Sequence, residues 1–262
     1  MTKSWPRIFS IVPEAPLGKL VRLPLRLLPK KLVLPVFSGI NKGFKWRVGS
    51  HIHGAWIGSY EREKQQACVR LVSPGATVYD IGAQAGFYSL AFSRLAHAGR
   101  VYAFEPLAEN CVNLLDHLRL NKVANVIVHQ MAVSDQSGIV SFRIASNNAM
   151  GSLTIERSDY RVYAVTLDEL IQGQIMPVPD LVKMDVEGSE AGVLRGAAQL
   201  VRERRTVWLV ALHGRQPTQE CWDIFRSSGY SIFRIDGTKV MSVTDMPDEI
   251  CAMATPEQPR GR

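Results

Sequence analysis

The sequence predicts an open, doubly wound α/β fold with a mostly parallel sheet and a C-terminal antiparallel hairpin. Short apolar segments rich in β-branched and aromatic residues alternate with segments whose apolar residues recur every three or four positions. Of the 262 residues, 46% are apolar, which is enough for a sizeable core. The dipeptide Asp236-Gly237, which suits a tight turn, separates two extended segments in the C-terminal part of the chain.

The net charge of +7 is unevenly distributed. The first 50 residues contain ten of the 31 basic residues and one acid, Glu14. We therefore predict a basic, proline-containing arm at residues 1–55, an α/β domain at 56–245 and a loose polar tail at 246–262. Prolines interrupt every apolar run of the arm, and we see neither a secretory signal nor a spanning helix, so we expect a cytoplasmic protein.

The basic arm has two possible roles. It is either a solvated terminus or a segment that contacts a membrane surface weakly, because Arg22, Arg26, Lys30 and Lys31 interleave with leucine and valine. No stretch interleaves basic and aromatic residues as a nucleic-acid platform does, so we discount RNA and DNA as partners. Four scattered cysteines without a CxxC pair indicate reduced thiols and neither a disulfide framework nor a zinc site.

The elements follow one another in a regular order. A helix is expected from Ser59, then the strand TVYDIG, a helix through Leu95, the strand RVYAFE and a helix over residues 108–120. NVIVHQMAV is predicted as a third strand and GIVSFRIA as a fourth, which the polar turn SDQSG would allow to pair with it. Residues 146–158 lack periodicity and indicate a loop.

Two further strand and helix pairs complete the domain. RVYAVTLDELI predicts a strand and a short helix, and PDLVKMDVEG predicts a buried strand that ends in acids, followed by the helix SEAGVLRGAAQLV. TVWLVALHG is the next strand and TQECWDIFRSSG the next helix. YSIFRIDGTKVMSV is then predicted to form the hairpin.

A glycine turn follows the strand TVYDIG. In doubly wound sheets, ligands bind outside the carboxyl ends of the strands, and Asp80, Gly82, Gln84 and Gly86 lie at such an end. Glu105 ends the next strand and can accept hydrogen bonds from a ribose diol. The pattern is DxGxxxG and not the GxGxxG of dinucleotide enzymes, and an acid inside the turn favours the sulfonium of S-adenosylmethionine over a pyrophosphate. The alternative is a purely structural turn.

A second group of candidates lies at the ends of later strands. Lys183, Asp185 and Glu187 alternate and so share one face of a strand, where buried acids are costly unless they are paired or liganded. Glu187 could instead cap the next helix while Lys183 pairs with Asp185, and the two acids could instead hold a divalent cation, although we expect no metal. His213 is a candidate base or a loop histidine. His51 is interpreted, with His53, as part of a solvent-facing strand.

Several motifs resemble the FkbM-type family of S-adenosylmethionine-dependent methyltransferases: VYDIGAQAGFYSL, GRVYAFEP, MAVSDQSG, VTLDEL and PDLVKMDVEGSEAGVLRGA. The resemblance runs from about Trp56 to His213 and implies a Rossmann-like class I methyltransferase fold and this methyl donor. It also implies a role for each matching residue: Asp80, Gly82 and Gly86 on the methionine side of the cofactor, Glu105 on the ribose hydroxyls and Ala132 beside the adenine.

The chain departs from the family pattern at two positions. Many members carry Asn where this chain has Gln84, and Glu is common where it has Ala211. Any role of that acid is therefore either absent here or taken over by a nearby group, for which His213 is a candidate.

The resemblance implies an enzyme that methylates a hydroxyl oxygen, and we expect its acceptor to be a saccharide, glycolipid or polyketide-like molecule. Asp185, Glu187 and His213 are the expected catalytic residues. Tyr60 and its neighbours Trp56 and Glu61 could form a wall of the acceptor pocket, and SNNAMGSL is either an acceptor-binding loop or an exposed connection. The alternatives are an inactive nucleoside-binding module of the same fold and an NAD-dependent oxidoreductase.

Overall fold

A computed structural model describes residues 28–144, 151–153 and 160–254. The described strands are β1 (Val33–Pro35), β2 (Lys45–Arg47), β3 (Thr77–Ile81), β4 (Arg100–Phe104), β5 (Val126–His129), β6 (Ala132–Val133), β7 (Gly138–Ile144), β8 (Gly151–Leu153), β9 (Arg161–Val165), β10 (Leu181–Met184), β11 (Val207–Ala211), β12 (Tyr230–Arg234) and β13 (Glu249–Ala254). The described α-helices are α1 (His53–Ile57), α2 (Arg62–Leu71), α3 (Phe87–Leu95), α4 (Ala108–Leu120), α5 (Leu167–Gln172), α6 (Glu190–Arg195), α7 (Ala198–Glu203) and α8 (Arg215–Ser227).

The central sheet has seven strands in the order β12-β13-β11-β10-β3-β4-β5. The five strands from β11 to β5 are parallel to one another. β13 pairs antiparallel with β11 on one side and with the edge strand β12 on the other. The chain builds outward from β3 through β4 to β5 and then returns to place β10 on the other side of β3. The strand order therefore reverses between β3 and β10, which is where doubly wound sheets bind ligands. The predicted fold class is confirmed.

Helices cover both faces of this sheet, and each face has its own hydrophobic cluster. Successive residues of β3 point to opposite faces, so Tyr79 and Ile81 belong to one cluster and Val78 to the other. Burial on both faces explains why the strand is apolar throughout except at Asp80. All four cysteines are buried with free thiols.

The fourth predicted strand pairs differently from the expectation. NVIVHQMAV divides into β5, at the edge of the central sheet, and β6, in a second sheet with the order β6-β9-β7-β8. Within that sheet β7 is antiparallel to β8 and β9 and does not pair with β5 or β6. The polar turn SDQSG therefore connects β6 to β7 without making them a hairpin, because β9 lies between them.

The loose tail predicted from residue 246 is wrong for Glu249–Ala254. These residues form β13, which lies between β11 and β12 and pairs with both. The tight turn at Asp236-Gly237 does form, because the N–H of Arg234 donates to the carbonyl of Thr238 at 2.8 Å. The strand that pairs along the whole of β12, however, is β13. Its apolar residues fill the sheet between β11 and β12.

Part of the predicted arm also packs on the domain. Trp46 is fully buried, and its ring stacks on that of His117 in α4 with centroids 3.9 Å apart. The side chain of Arg47 pairs with Asp116 of the same helix at 2.6 Å. Burying an aromatic side chain stabilises a fold by about 1.5–3 kcal/mol, so this docking is substantial. The arm residues Arg22 and Arg26 lie outside the described residues. No helix in the described part of the chain is long and apolar enough to cross a membrane.

Candidate active site

A cavity with about 520 Å³ of empty space, partly open to solvent, lies at the carboxyl ends of β3, β4 and β10. We call it the main cavity. The predicted site residues that line it are Gly82, Gln84, Glu105, Ala132, Asp185 and Glu187. Ligand sites are typically clefts with a mostly apolar lining and a few polar groups, and the lining of the main cavity has this composition. Its position at the reversal of strand order agrees with the sequence prediction.

The turn after β3 needs glycine for two different reasons. Gly82 has a φ of +74°, and a Cβ there would lie 1.9 Å from the carbonyl oxygen of Asp185. Only glycine therefore lets this turn pack directly against the end of β10. Gly86 has a φ of +88°, and a Cβ there would lie 2.1 Å from Leu114. Gly86 is the N-cap residue that immediately precedes α3. It borders neither this cavity nor the second one described below.

Gln84 lies between these glycines in a left-handed conformation with a φ of +46°. Such a conformation is costly for a residue with a side chain and is often found at functional sites. Its backbone N–H donates to the carboxylate of Glu105 at 2.9 Å, and this bond holds the turn against β4.

Glu105 is a buried wall residue with only 3% of its surface exposed. Its carboxylate accepts from the backbone N–H groups of Gln84 and Leu107, both at 2.9 Å, and from the amide of Asn110 at 3.2 Å. Burial raises its pKa, and these hydrogen bonds oppose that rise. A carboxylate offers about four acceptor positions, so three are occupied. A ribose diol donating two hydrogen bonds would take the fourth and replace one of the three.

Asp80 differs from its predicted role. It is completely buried, accepts from the hydroxyl of Ser89 at 2.6 Å and lies 3.3 Å from the ammonium of Lys183. The two residues are register partners in adjacent parallel strands, so their side chains share a face. Asp80 borders neither cavity, and its charge is compensated within the protein. The repulsion of a pyrophosphate therefore cannot be assigned to Asp80.

Ala132 belongs to the apolar part of the main cavity. It lies in β6, and its apolar neighbours in the cavity wall are Phe104, Leu107, Met131, Val133 and Phe142. An apolar lining with the aromatic rings of Phe104 and Phe142 suits a heterocyclic base. The ionisable groups that line the cavity are three acids, Glu105, Asp185 and Glu187, and none of its described lining residues is a lysine, arginine or histidine.

Asp185, Glu187 and His213 come together as predicted from their positions at neighbouring strand ends, and we call these three residues the rim. The Nε2 atom of His213 lies 3.7 Å from a carboxylate oxygen of Asp185 and 3.7 Å from one of Glu187. These distances exceed hydrogen-bond length. One ligand atom from each residue lies within 4.8 Å of the others, so the rim has the spacing to hold a divalent cation. Glu187 is also left-handed, with a φ of 53°.

The acids of the rim differ electrostatically. Burial opposes ionisation of Asp185, but the ammonium groups of Lys183 and Lys64 outweigh it and lower the pKa of its carboxyl group. Burial raises the pKa of Glu187 instead. Asp185 therefore carries its negative charge more readily than Glu187.

Sequence analysis missed Glu190, which orients His213. Its side chain is fully buried, and its carboxylate lies 2.8 Å from Nδ1 of His213 and accepts from the N–H of Gly188 at 3.0 Å. This hydrogen bond is the main reason why the pKa of His213 is raised. With Nδ1 held by Glu190, Nε2 is directed towards Asp185 and Glu187. The only sign of Glu190 in the sequence was that it adds one more acid to an acidic stretch at the start of a predicted helix.

A second group missed by sequence analysis surrounds Lys64 in α2. This lysine is 2% exposed, pairs with Glu61 at 2.8 Å, contacts Glu249 of β13 and lies 4.0 Å from Asp185. These carboxylates raise the pKa of Lys64 despite its burial. Glu249 is the register partner of Ala211, the position where the family commonly has Glu. An acid from the neighbouring strand therefore lies beside that position.

A second, smaller cavity borders Asp185 and is lined by His51 and Tyr60, and we call it the small cavity. His51 was predicted to face solvent, which is wrong. It is half-buried, and its ring lies edge to face with that of Tyr60 at 5.0 Å. Trp56 is buried, and its ring nitrogen donates to His53 at 3.2 Å, so Trp56 and His53 pack outside both cavities.

The chain is similar to known proteins. Residues 80–237 match the model of the methyltransferase FkbM domain. The hexuronic acid methyltransferase AglP of Haloferax volcanii is 29% identical over 161 residues, which are 57% of this chain and 62% of AglP. The chain thus matches less than two thirds of the length of that relative.

Two solved structures are among those to which the chain is similar. A crystal structure of methyltransferase FkbM from Methylobacillus flagellatus KT is 20% identical, with a TM-score of 0.49 over 69% of this chain and 44% of the other. Precorrin-6y C5,15-methyltransferase from Geobacter metallireducens GS-15 is 13% identical, with a TM-score of 0.44 over 73% of this chain and 85% of the other. The family model covers more than half of the 262 residues, and the chain therefore belongs to the FkbM methyltransferase domain family.

Proposed function

We propose that this protein transfers the methyl group of S-adenosylmethionine to a hydroxyl oxygen of a saccharide, glycolipid or polyketide-like acceptor. The observation that carries the proposal is the convergence of Asp185, Glu187 and His213 beside a cavity suited to a nucleoside. Family membership supports methyl transfer, and the name of AglP supports a saccharide among these acceptor classes.

The chemistry of the main cavity supports this methyl donor. Its apolar part can take an adenine, and Glu105 can accept from ribose hydroxyls. Because its described ionisable lining groups are all acids, it favours a cationic sulfonium and disfavours the pyrophosphate of a dinucleotide. The negative charge that disfavours a pyrophosphate is therefore that of Glu105, Asp185 and Glu187, and not that of Asp80. When bound, the donor supplies a methyl group made electrophilic by the sulfonium.

The rim supports proton removal from an acceptor hydroxyl. As the new O–C bond forms, the hydroxyl must lose its proton, and the Nε2 atom of His213 is the proposed acceptor of that proton. Glu190 holds the imidazole by Nδ1 and stabilises its charged form. Asp185 and Glu187, each 3.7 Å from Nε2, lie where they can orient the hydroxyl and stabilise the imidazolium.

An open polar groove offers a path for the acceptor. Its empty space is about 890 Å³, and it meets the main cavity at Ser189. Hydroxyl, amide and carboxylate side chains dominate its lining: Ser134, Asp135, Gln136, Ser141, Gln216 and Glu220. Such groups bind the hydroxyls of a sugar or polyol. Most of the SNNAMGSL segment lies outside the described residues, so its predicted role in acceptor binding stays a prediction.

The proposal is tested by calorimetry and by transfer of label. S-adenosylhomocysteine should bind the purified protein and outcompete NADH, and label from the methyl donor should appear on oxygen in one of a panel of neutral and acidic saccharides. Binding without transfer to any acceptor would favour the inactive nucleoside-binding module. Label found only on nitrogen or carbon would refute the oxygen assignment.

A further inference from the structure

Lys64 is a buried lysine that the proposed proton transfer does not use. It lies in α2 with 2% of its side chain exposed, pairs with Glu61 at 2.8 Å and contacts Glu249 of β13. Burial alone would lower its pKa, but these carboxylates and that of Asp185 raise it, so the side chain is an ammonium. A buried charge is costly unless it is paired. One carboxylate would balance this charge, and the ammonium therefore stabilises further acids as well.

The central sheet explains how acids from two strands reach the same ammonium. Glu249 of β13 is the register partner of Ala211 in β11. On the other side of β11, Met184 of β10 is the register partner of Val210, so Asp185 follows at the level of Ala211. Neighbouring strands lie about 4.8 Å apart, and side chains at one register position share a face of the sheet. Glu249 and Asp185 are thus separated by one strand, and a single ammonium reaches both.

The two carboxylate oxygens of Asp185 face different groups. Oδ2 lies 4.0 Å from Nζ of Lys64, and Oδ1 lies 3.7 Å from Nε2 of His213. Attraction between the ammonium and Oδ2 restricts rotation of the carboxylate and leaves Oδ1 on the side of the histidine. The position of Oδ1 therefore depends on a lysine that lines neither the main cavity nor the small cavity.

Partners from other elements hold Lys64 in place. Glu61, the residue before α2, accepts from the hydroxyl of Tyr88 in α3 at 2.7 Å. The ring of Tyr88 lies 5.5 Å from the ammonium of Lys64, which is the distance of a cation–π contact. Glu249 contacts the same ammonium from β13. An ammonium fixed by α3 and β13 cannot follow Asp185 when that side chain rotates, so it provides a rigid point of attachment.

We propose that Lys64 is a positioning residue for methyl transfer and that Glu249 acts through it. The inference rests on the proposed function. Lys64 holds Oδ2 of Asp185, and Oδ1 is thereby kept towards Nε2 of His213, where the acceptor hydroxyl loses its proton. Glu249 holds the ammonium at the level of Asp185. Strand β13 thus contributes to the site, although Glu249 lines neither the main cavity nor the small cavity.

The first test removes the ammonium. Lys64→Met keeps an unbranched side chain without charge, and Lys239→Met, at an exposed position between β12 and β13, is the matched control. Transfer of label gives kcat and the KM of the acceptor, calorimetry gives the affinity for S-adenosylhomocysteine, and thermal denaturation shows whether the variant is folded. We expect Lys64→Met to lower kcat about 10²-fold, as for a misplaced catalytic group, while KM and affinity stay within about threefold. Lys239→Met should change none of them.

The second test moves the acid to the neighbouring strand and does not depend on the stability of Lys64→Met. Glu249→Ala leaves Lys64 paired with Glu61, and we expect kcat to fall about tenfold while the affinity for S-adenosylhomocysteine is unchanged. The double variant Glu249→Ala/Ala211→Glu returns a carboxylate at the same register position and should restore most of the lost kcat. An acid on β11 would not correct a general loss of structure in β13.

Folded variants with the kcat of the wild type would overturn the inference and leave the proposed function standing. Equal losses of kcat and of affinity for S-adenosylhomocysteine would do the same, because they indicate a role in structure alone. A double variant that melts like the wild type but does not regain kcat would also overturn it. Absence of transfer by the wild type to every acceptor of the panel would overturn both.

Discussion

The rim and the segment of residues 45–60 both border the site at Asp185, but they are held in different ways. In the rim, Nε2 of His213 lies 3.7 Å from a carboxylate oxygen of Asp185 and 3.7 Å from one of Glu187, beyond hydrogen-bond length. Residues 45–60 are instead anchored on α4, where Trp46 stacks on the ring of His117 and the N–H of Arg47 donates to Nε2 of that histidine at 3.0 Å. The described contacts of Nε2 of His213 therefore leave it able to bond a ligand, whereas the first residues of the N-terminal segment are fixed to the domain.

A substitution in the rim should have the largest effect on turnover. Asp185→Asn removes a charge that faces His213 but keeps the shape, so we expect kcat to fall about 10²- to 10⁴-fold, as for a lost proton-transfer group, while affinity for S-adenosylhomocysteine stays within about tenfold. Methyl-transfer kinetics and calorimetry measure the two quantities. Asp223→Asn, on an exposed part of α8, is the matched control. Unchanged turnover would remove Asp185 from the mechanism.

Glu105 lies outside both regions. A substitution there tests whether the main cavity binds the ribose. Glu105→Gln should weaken binding of the methyl donor by about 1–3 kcal/mol, because hydrogen bonds to a charged acceptor are lost. The same change removes the charge that accepts from Gln84 and Leu107, so thermal denaturation must accompany calorimetry. A lower melting temperature with unchanged affinity would make Glu105 only an anchor of the turn.

Glu190 tests whether His213 is the base. Its carboxylate raises the pKa of His213, so Glu190→Gln should lower that pKa. A base works only when it is unprotonated, and the acidic limb of kcat/KM against pH should therefore move to lower pH. A purely structural role would reduce activity without moving the limb.

Removal of divalent cations by a chelator should have the smallest effect on methyl transfer. Lys64 and Lys183 already compensate the charge of Asp185, so the rim does not need a divalent cation to hold its acids together. We expect methyl transfer to be unchanged after treatment with EDTA. Loss of activity that Mg²⁺ or Mn²⁺ restores would instead assign Asp185, Glu187 and His213 as ligands of an ion.

The sequence predicted those parts of the site that depend on strand ends. Parallel strands end at the same edge, so the positions of Gly82, Asp185 and His213 in the chain were enough to bring them together. Strand register cannot be derived from composition, and for that reason the pairing of Asp80 with Lys183 was not foreseen. Asp80 had been expected to face the ligand.

Long-range contacts account for the other differences between the sequence predictions and the structure. Lys64 lies in the helix expected from Ser59, and it contacts Glu249 of a strand in the segment that was predicted to be a loose polar tail. His51 follows a segment that packs on α4, where Trp46 stacks on the ring of His117. Contacts between residues far apart in sequence leave no periodic signal.

The position of β13 imposes an order on folding. It lies inside the central sheet between β11 and β12, yet it follows every other described strand in the chain. During synthesis the edge of β11 therefore stays unpaired until residue 254 has been made, and an unpaired edge invites association with other chains. Glu249 of this strand contacts Lys64, so the electrostatic environment of Asp185 is complete only after β13 has been synthesised.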